Sequence, residues 1–177
     1  MTIWHDLRKD VLANTGAQGG AAVLKAILIS HSVKVIFRYR ISRELLRCGA
    51  LGRLLSKWFW LRNIRLAACH ISPRATIGPG LCLPHAVGIV IGEGVIIGER
   101  VTIYQHVTLG TSRRTGHPAY PCIGDDVQIY ANVVVFGAIV IGHRATLGAG
   151  LVVSKTVPDG AVCRNERHER CADAPNA

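Results

Sequence analysis

The chain has 177 residues, which is enough for about one domain with a modest appendage. Its hydrophobic content of 49% excludes wholesale disorder. The net charge is +10, but residues 1–70 hold 12 of the 21 lysines and arginines and only 3 of the 11 acidic residues. A basic excess confined to one segment that is also rich in Leu, Ile, Val and Trp argues against a nucleic-acid-binding protein.

The N-terminal residues show no targeting or membrane-spanning pattern. They lack the basic and apolar regions of a signal peptide. The apolar stretches that follow are interrupted by Lys25, Lys34 and Arg38 before they reach the length of a membrane span. We therefore expect a cytoplasmic protein. Its 6 cysteines form no C-x-x-C pair, so we expect no metal site.

The first third of the sequence has the apolar spacing of helices. Residues 3–13 predict a short helix, and residues 17–20 predict a loop. From about Ala21 to Leu66 apolar residues recur every three or four positions. A break is expected near Gly49 and Gly52, because glycine weakens helices.

A six-residue repeat begins at residue 71. Short strands that turn a corner every six residues produce such a repeat, and three of them close a turn of about 18 residues. The sequence thus predicts an all-β parallel β-helix at 71–160, after a helical segment at 1–70 and before a tail at 161–177. Glycine follows seven of the repeat positions, and we interpret it as a corner residue with positive φ. The inward positions are Ile71, Ile77, Leu83, Ile91, Ile97, Ile103, Leu109, Ile123, Ile129, Val135, Ile141, Leu147 and Val153.

Three motifs within the repeat are more specific. They are I-G-P-G-L-C-L-P-H-A-V-G-I-V-I-G-E at 77–93, V-T-I-Y-Q-H-V-T-L-G-T at 101–111 and L-G-A-G-L-V-V at 147–153. Over about half the chain, the sequence resembles the hexapeptide-repeat acyltransferases, and among them the serine O-acetyltransferase family. The resemblance implies a left-handed β-helix, acetyl-CoA as co-substrate, and a homotrimer with active sites between subunits.

The family's catalytic histidine corresponds to His85, in the motif H-A-V-G-I-V. Acetyl transfer from a thioester to a hydroxyl requires a base that takes the hydroxyl proton, and a histidine can do so at neutral pH. Backbone N–H groups near Gly88 and Gly110 could stabilise the oxyanion. The alternative is an exposed histidine on a turn.

The cofactor is expected on the same corner of the β-helix as His85. Three strands after His85 this corner is Gln105, and further on it becomes Ala131 and Ala149. The small residues would open a groove roughly 10–15 Å long for a pantetheine arm. The resemblance places CoA contacts on the two alanines, although alanine is also common in such coils.

Basic residues are candidates for the nucleotide end of the cofactor. Arg113 and Arg114 lie in the long loop at 111–121 and could bind CoA phosphates, as could Lys155. Together with Gly110, these complete the predicted cofactor-binding set. A solvated basic loop is the alternative interpretation of the two arginines.

Three positions depart from the serine enzymes. His70 stands where the family has the aspartate that orients the catalytic histidine, so we count it as a catalytic candidate. Pro84 replaces an acidic residue, and the pair Ala119-Tyr120 replaces an Arg-His pair. The groups that would hold a charged amino acid are therefore missing.

From these departures we expect a sugar hydroxyl of an exopolysaccharide or lipid-linked glycan as the acceptor, as in the exopolysaccharide and colanic-acid branch of the family. Gln105, His106, His117 and Tyr120 would supply its hydrogen bonds. A serine O-acetyltransferase of cysteine biosynthesis is the alternative. A β-helical carbonic anhydrase would need three zinc-binding histidines, and its close histidine pair is not found here. A purely structural β-helix would not need the histidine motif.

The basic N-terminal segment has two interpretations. The run Lys57-Trp58-Phe59-Trp60-Leu61-Arg62 would suit an interfacial helix in peripheral contact with an anionic membrane. Alternatively, the helices cap the β-helix or mediate oligomerisation.

Overall fold

The computed structural model describes residues 3–112 and 119–164. Four helices come first, in agreement with the apolar spacing. The loops between them contain Gly19 and Cys48, near the breaks expected from the sequence. The helices are α1 Ile3–Thr15, α2 Gly20–Ile29, α3 His31–Leu45 and α4 Gly49–Ala67.

The rest of the described chain is a left-handed parallel β-helix, which confirms the predicted fold. Its strands form three sheets, one for each side of the triangle, in which every strand pairs in parallel with strands from the neighbouring coils. Sheet A has the order β1-β3-β6-β9-β12, sheet B β10-β7-β4-β2 and sheet C β13-β11-β8-β5. The strands are β1 His70–Ile71, β2 Thr76–Ile77, β3 Val90–Ile91, β4 Ile96–Ile97, β5 Thr102–Ile103, β6 Thr108–Gly110, β7 Cys122–Ile123, β8 Gln128–Ile129, β9 Val134–Phe136, β10 Val140–Ile141, β11 Thr146–Leu147, β12 Val152–Val153 and β13 Val162–Cys163.

The register shows where the coils depart from the regular length. Ile91 pairs with Leu109, one regular coil of 18 residues further on. Ile71 pairs with Ile91, so the first coil holds two additional residues. Leu109 pairs with Val135, so the coil with the long loop holds eight more than a regular one. The irregular places are the turn around His85, the loop after Gly110 and the last coil, where Leu147 pairs with Cys163 and the coil is two residues shorter than a regular one.

The inward aliphatic residues form one continuous core along the axis. Residues such as Ile91, Ile103 and Leu109 are completely buried. The core continues into the helices, because Ile36 and Tyr39 of α3 pack against it. The helical segment is thus joined to the β-helix by a shared apolar interior, which hydrophobic burial stabilises.

The expected role of the repeat glycines is wrong. None of the seven glycines after inward residues has positive φ. Five of them are required by close stacking on the next coil instead: Gly78, Gly98, Gly124, Gly142 and Gly148. A Cβ on Gly78 would lie 2.5 Å from the Gly98 carbonyl oxygen, and one on Gly124 would lie 2.8 Å from the His143 nitrogen. Consecutive coils therefore touch backbone to backbone at these corners. In the β-helix, left-handed conformations fall on other residues, which include Arg100, His106, Asp126, Asn132 and Arg144.

The first coil has an outer edge whose backbone groups have no preceding coil to pair with. The helices cover this edge. Arg40 of α3 donates hydrogen bonds to the carbonyl oxygens of Ile77 (2.6 Å) and Gly78 (2.7 Å). Asp10 of α1 accepts from the N–H groups of Gly80 and Leu81, both at 2.9 Å. Buried backbone groups without partners are costly, so these contacts stabilise the end of the β-helix.

Asp10 and Arg40 also bind each other. The Arg40 Nε donates to Asp10 Oδ2 at 2.9 Å and its Nη2 donates to Asp10 Oδ1 at 3.1 Å. Burial raises the pKa of the Asp10 carboxyl, whereas the Arg40 guanidinium and the two backbone N–H groups lower it. The pair is tolerated in the interior because both charges are hydrogen-bonded on every side.

Two further side chains continue the cap. Asn14 accepts from the Leu83 N–H at 2.9 Å and donates to the Leu81 carbonyl at 2.7 Å. The Tyr39 hydroxyl donates to the Ala75 carbonyl at 2.8 Å. These contacts support capping as one role of the helical segment.

None of the described helices is by itself long and apolar enough to cross a membrane; only α2 and α3 taken together meet that criterion, and they meet at 102°.

We predict that Asp10→Asn lowers the free energy of unfolding by about 3 kcal/mol, because it removes the hydrogen-bonded counter-ion of the buried Arg40. Only Asp6 would remain as a counter-ion, with its Oδ2 3.8 Å from Arg40 Nη1. Asp126→Asn is the matched control, since Asp126 binds Arg100 with similar geometry on the surface. It should have a much smaller effect. Urea denaturation of both variants measures the difference, and equal losses would show that the cap does not depend on the buried pair.

Candidate active site

His85 lies on an exposed turn at the corner between sheets C and A, where the first coil has its two additional residues. The turn is held from within, because the Val87 N–H donates to the His85 carbonyl at 2.8 Å. It is also held from the cap, where His31 Nε2 lies 3.1 Å from the Ala86 carbonyl oxygen. The backbone of His85 is thus fixed while its ring faces solvent.

Gly88 allows this turn to pack on the next coil. Its φ is 66°, and a Cβ at this position would lie 2.7 Å from His106 Cε1 and closer still to Nδ1. The His106 N–H donates to the Val87 carbonyl at 3.0 Å. His106 therefore contacts the His85 turn from the next coil, on the same corner.

The column that follows His85 along the axis is built as predicted. Gln105 and Ala131 are half-buried, and Ala149 is exposed. The Asn132 N–H donates to the Gln105 carbonyl at 3.1 Å, and the Gly150 N–H donates to the Ala131 carbonyl at 2.9 Å, so the corners stack in register. Within residues 3–112 and 119–164, the N–H groups of Ala131 and Ala149 donate to no other group. A ligand that lay along this column would meet free backbone donors.

Two tyrosines beside this column were missed by the sequence reasoning. Tyr104 and Tyr130 stack with ring centroids 5.0 Å apart and planes 10° from parallel. The Tyr104 centroid lies 6.4 Å from that of His85. Both tyrosines directly follow inward isoleucines one coil apart, and this repeated position was the signal in the sequence. They form an aromatic wall next to the groove.

His70 lies at the start of β1, and its ring packs edge-on against Trp60 of α4 with centroids 4.9 Å apart. In the described part of the chain no hydrogen bond joins His70 to His85. A cavity of about 530 Å³ between α4 and sheet A is lined by His70 together with Trp60, Arg53 and Lys57. The ring of His70 thus contacts Trp60 of α4 and not His85, the residue that it was expected to orient.

Other predicted residues lie on a different corner, between sheets A and B. Gly110 ends β6 there, and Lys155 is exposed after β12. The Tyr120 ring lies over the turn before β4: a Cβ on Gly92 would be 2.8 Å from Tyr120 Cε1, and one on Gly94 would be closer still. Tyr120 therefore anchors the end of the long loop. Arg113, Arg114 and His117 lie outside the described residues.

The base of the loop is closed by its own backbone. The Ser112 N–H donates to the Ala119 carbonyl at 3.2 Å, and the Ala119 N–H donates to Thr111 Oγ1 at 3.0 Å. Within one chain, His85 and the column that follows it lie on one corner of the β-helix, and the long loop lies on another. Among the described residues no three His, Cys, Asp or Glu side chains converge as metal ligands would.

The sequence is similar to curated serine acetyltransferases. The one from Mycobacterium tuberculosis is 42% identical over 123 residues, which are 63% of this chain and 54% of the relative. The one from Bacillus pumilus is 45% identical over 141 residues, 77% of this chain and 62% of the relative. The one from Escherichia coli K12 is 44% identical over 116 residues, 59% of this chain and 42% of the relative. The chain spans about half the length of the curated relatives it matches. No protein-family model matches it.

Solved structures agree with this similarity. Neisseria gonorrhoeae serine acetyltransferase superposes with a TM-score of 0.79 at 32% identity, covering 90% of this chain and 61% of that one. The soybean apoenzyme gives the same TM-score and identity, with 65% of that chain covered. A serine acetyltransferase in complex with CoA superposes with a TM-score of 0.77 at 29% identity, covering 90% of this chain and 66% of that one.

The expectation of a sugar acceptor in the exopolysaccharide branch is wrong, because these relatives are serine acetyltransferases. That expectation was based on Pro84, Ala119 and Tyr120, which stand where the serine enzymes have an acidic residue and an Arg-His pair. A missing side chain is a weak argument, since backbone groups and other side chains can meet the same charges. Tyr120 also proves to pack on a glycine turn at a corner away from His85.

We predict that Gly88→Ala destabilises the His85 turn. An L side chain in the left-handed region costs about 1–2 kcal/mol, and the overlap with His106 adds to it. In the double variant Gly88→Ala/His106→Ala the histidine ring is absent. The stability lost through the overlap should then be regained, while the cost of the backbone strain at position 88 remains. Urea denaturation of the two single variants and the double variant measures this coupling. Strictly additive losses would mean that Gly88 and His106 do not act on each other.

Proposed function

We propose that this chain is an acetyl-CoA-dependent O-acetyltransferase of the serine acetyltransferase type, with L-serine as its acceptor and His85 as its general base. The observation that carries the proposal is the arrangement at one corner. A histidine on a braced turn stands at the head of a column with two small residues, Ala131 and Ala149, whose backbone N–H groups have no partner in the described chain. The similarity to serine acetyltransferases in sequence and fold supports the same activity.

The reaction requires a proton to be moved twice. His85 takes the proton from the serine hydroxyl as its oxygen attacks the thioester carbonyl. The new carbon–oxygen bond forms, the carbon–sulfur bond breaks, and His85 returns the proton to the departing thiolate. The products are O-acetyl-L-serine and CoA. Because the turn at 85–88 is held by both the cap and the next coil, the base is positioned before substrate binds, as efficient proton transfer requires.

The groove past Gln105 suits the linear arm of the cofactor. The arm carries amide groups that need hydrogen-bond partners. The free N–H groups of Ala131 and Ala149 would donate hydrogen bonds to its carbonyl oxygens. Their methyl side chains leave the groove open. Tyr104 and Tyr130 would form an apolar wall beside it. Gly110, Lys155, Arg113 and Arg114 stay candidates for the remaining cofactor contacts.

A homotrimer would bring the two separate corners together. Three copies arranged around an axis parallel to the β-helices would place the His85 corner of one subunit against the loop corner of the next. Cyclic assemblies of this kind are common among homo-oligomers. In such an assembly His106 and Gln105 of one subunit, with His117 of a loop, would surround the acceptor. The serine charges would then be met by residues of two subunits.

His70 is proposed as a positioning residue. It occupies the place of an acidic partner but supplies no negative charge, and its ring packs against Trp60. We expect it to influence the orientation of the first coil's corner more than the proton affinity of His85.

We predict that the full chain acetylates L-serine with kcat/KM of about 10⁴ M⁻¹s⁻¹ or more, as is typical of an enzyme on its own substrate. His85→Ala should lower kcat by about 10²–10⁴, the usual contribution of a general base. CoA release with acetyl-CoA and L-serine measures both. His70→Ala is the comparison and should lower kcat far less.

The same assay can contradict the proposal in two ways. If acetyl-CoA is turned over with another hydroxyl acceptor but not with L-serine, the acceptor is wrong and the chemistry stands. If His85→Ala retains the wild-type rate, the general base is wrong.

A second prediction concerns the cofactor groove. Ala131→Leu and Ala149→Leu should raise the KM for acetyl-CoA about tenfold or more, because an added branched side chain would fill the groove. Their thermal stability should match the wild type, since both side chains face outward. Val162→Leu, on an exposed strand position at the far end of the β-helix, is the control. Unchanged kinetics in both variants would place CoA along another corner.

A further inference from the structure

Helix α4 exposes an apolar stripe that nothing in the described chain covers. The exposed fractions are 69% for Leu51, 66% for Leu54, 42% for Leu55 and 50% for Trp58. Their spacing of three and four residues places them on one side of the helix. The opposite side of α4, with Gly52, Ser56 and Asn63, is buried. Apolar side chains this exposed and this close together indicate a surface that binds something.

The same helix is basic and carries no acidic residue. Arg53, Lys57, Arg62 and Arg65 are all exposed. The Arg62 guanidinium lies 4.9 Å from the centre of the Trp58 ring, so a cation lies directly over the apolar stripe. Long basic side chains of this kind can keep their charges at a polar boundary while apolar neighbours enter an apolar phase.

We infer that this face of α4 binds the surface of an anionic lipid bilayer, with the helix lying in the plane of the membrane. Leu54, Trp58 and their apolar neighbours would enter the boundary between headgroups and acyl chains. Arg62 and Arg65, which lie on the same side of α4 as this stripe, would bind the anionic headgroups. The apolar stripe and the positive charge are complementary to the two layers of such a surface.

A second copy of the chain fits this face less well. A two-fold contact whose axis runs parallel to α4 would bring Arg62 and Arg65 against the same residues of the other copy, with no acidic residue of α4 between them. Like charges at close range oppose such a contact. The face is on the opposite side of α4 from α3, so membrane contact leaves the cap of the β-helix intact.

The test is co-sedimentation of the full chain with vesicles of phosphatidylglycerol and phosphatidylcholine in equal parts, compared with vesicles of phosphatidylcholine alone. Binding should occur only to the anionic vesicles and fall as salt is raised. Arg62→Gln/Arg65→Gln should lower the partition coefficient about twentyfold or more, since each basic residue contributes about fivefold. Leu54→Ser/Trp58→Ser should lower it by at least tenfold.

The matched control is Val162→Ser, which removes an exposed apolar side chain from the last strand and should bind vesicles like the wild type. The inference would be overturned if Val162→Ser lost as much vesicle binding as the α4 variants. Binding that does not depend on anionic lipid would also overturn it. Sedimentation without vesicles distinguishes a protein contact: if Leu54→Ser/Trp58→Ser reduces the mass of the assembly, the face binds a second copy. Acetyl transfer by the soluble enzyme should be unchanged in these variants, so this result is separate from the proposed function.

Discussion

The unpaired edge of the first coil is the constraint on which the rest of the structure depends. A stack of β-coils satisfies its backbone groups from neighbouring coils, so the first coil has a row of groups without a partner. Here α1 and α3 supply the partners, through Asp10, Asn14, Tyr39 and Arg40. The Asp10–Arg40 pair serves two purposes, because each charge neutralises the other and both also bind the coil. Separating the helices from the β-helix would expose buried charges and backbone groups together.

The same cap supports the candidate active site. The first coil carries both the capped edge and the turn with His85, and the contact between His31 and the Ala86 carbonyl joins the two. On the other side of the turn, His106 fills the space that Gly88 leaves open. His85, the proposed general base, is exposed on this turn and yet held by neighbours on both sides. Stability of the end of the β-helix and positioning of the proposed base are thus properties of one coil.

The close stacking of coils accounts for the column of residues that follows His85. Backbones meet at the glycine corners, such as Gly78 against Gly98, which sets the coils in strict register. Strict register aligns equivalent residues of successive coils into columns, so Gln105, Ala131 and Ala149 become one surface. Within one chain, the long loop and His85 lie on separate corners of the β-helix. In the proposed homotrimer, a neighbouring subunit would bring its loop to the histidine corner.

Much of this protein could be predicted from its sequence. The six-residue repeat determined the β-helix, because only inward aliphatic residues at that spacing can fill a triangular core. The irregular spacing around Leu83 and Ile91 located the histidine turn, and the spacing after Gly110 located the loop. The sequence motifs also indicated the chemistry, because the histidine and the small residues are local features.

Only the tertiary structure decided the rest. The seven repeat glycines were assigned to left-handed corners, but the fit between coils explains five of them, and that fit depends on residues about a coil apart. Asp10, Asn14 and Arg40 gave no local signal, since their partners are backbone groups some 40 to 70 residues away. Tyr120 was placed at the acceptor and instead lies over Gly92 and Gly94. A sequence specifies local spacing directly, whereas contacts between distant segments exist only after the chain has folded.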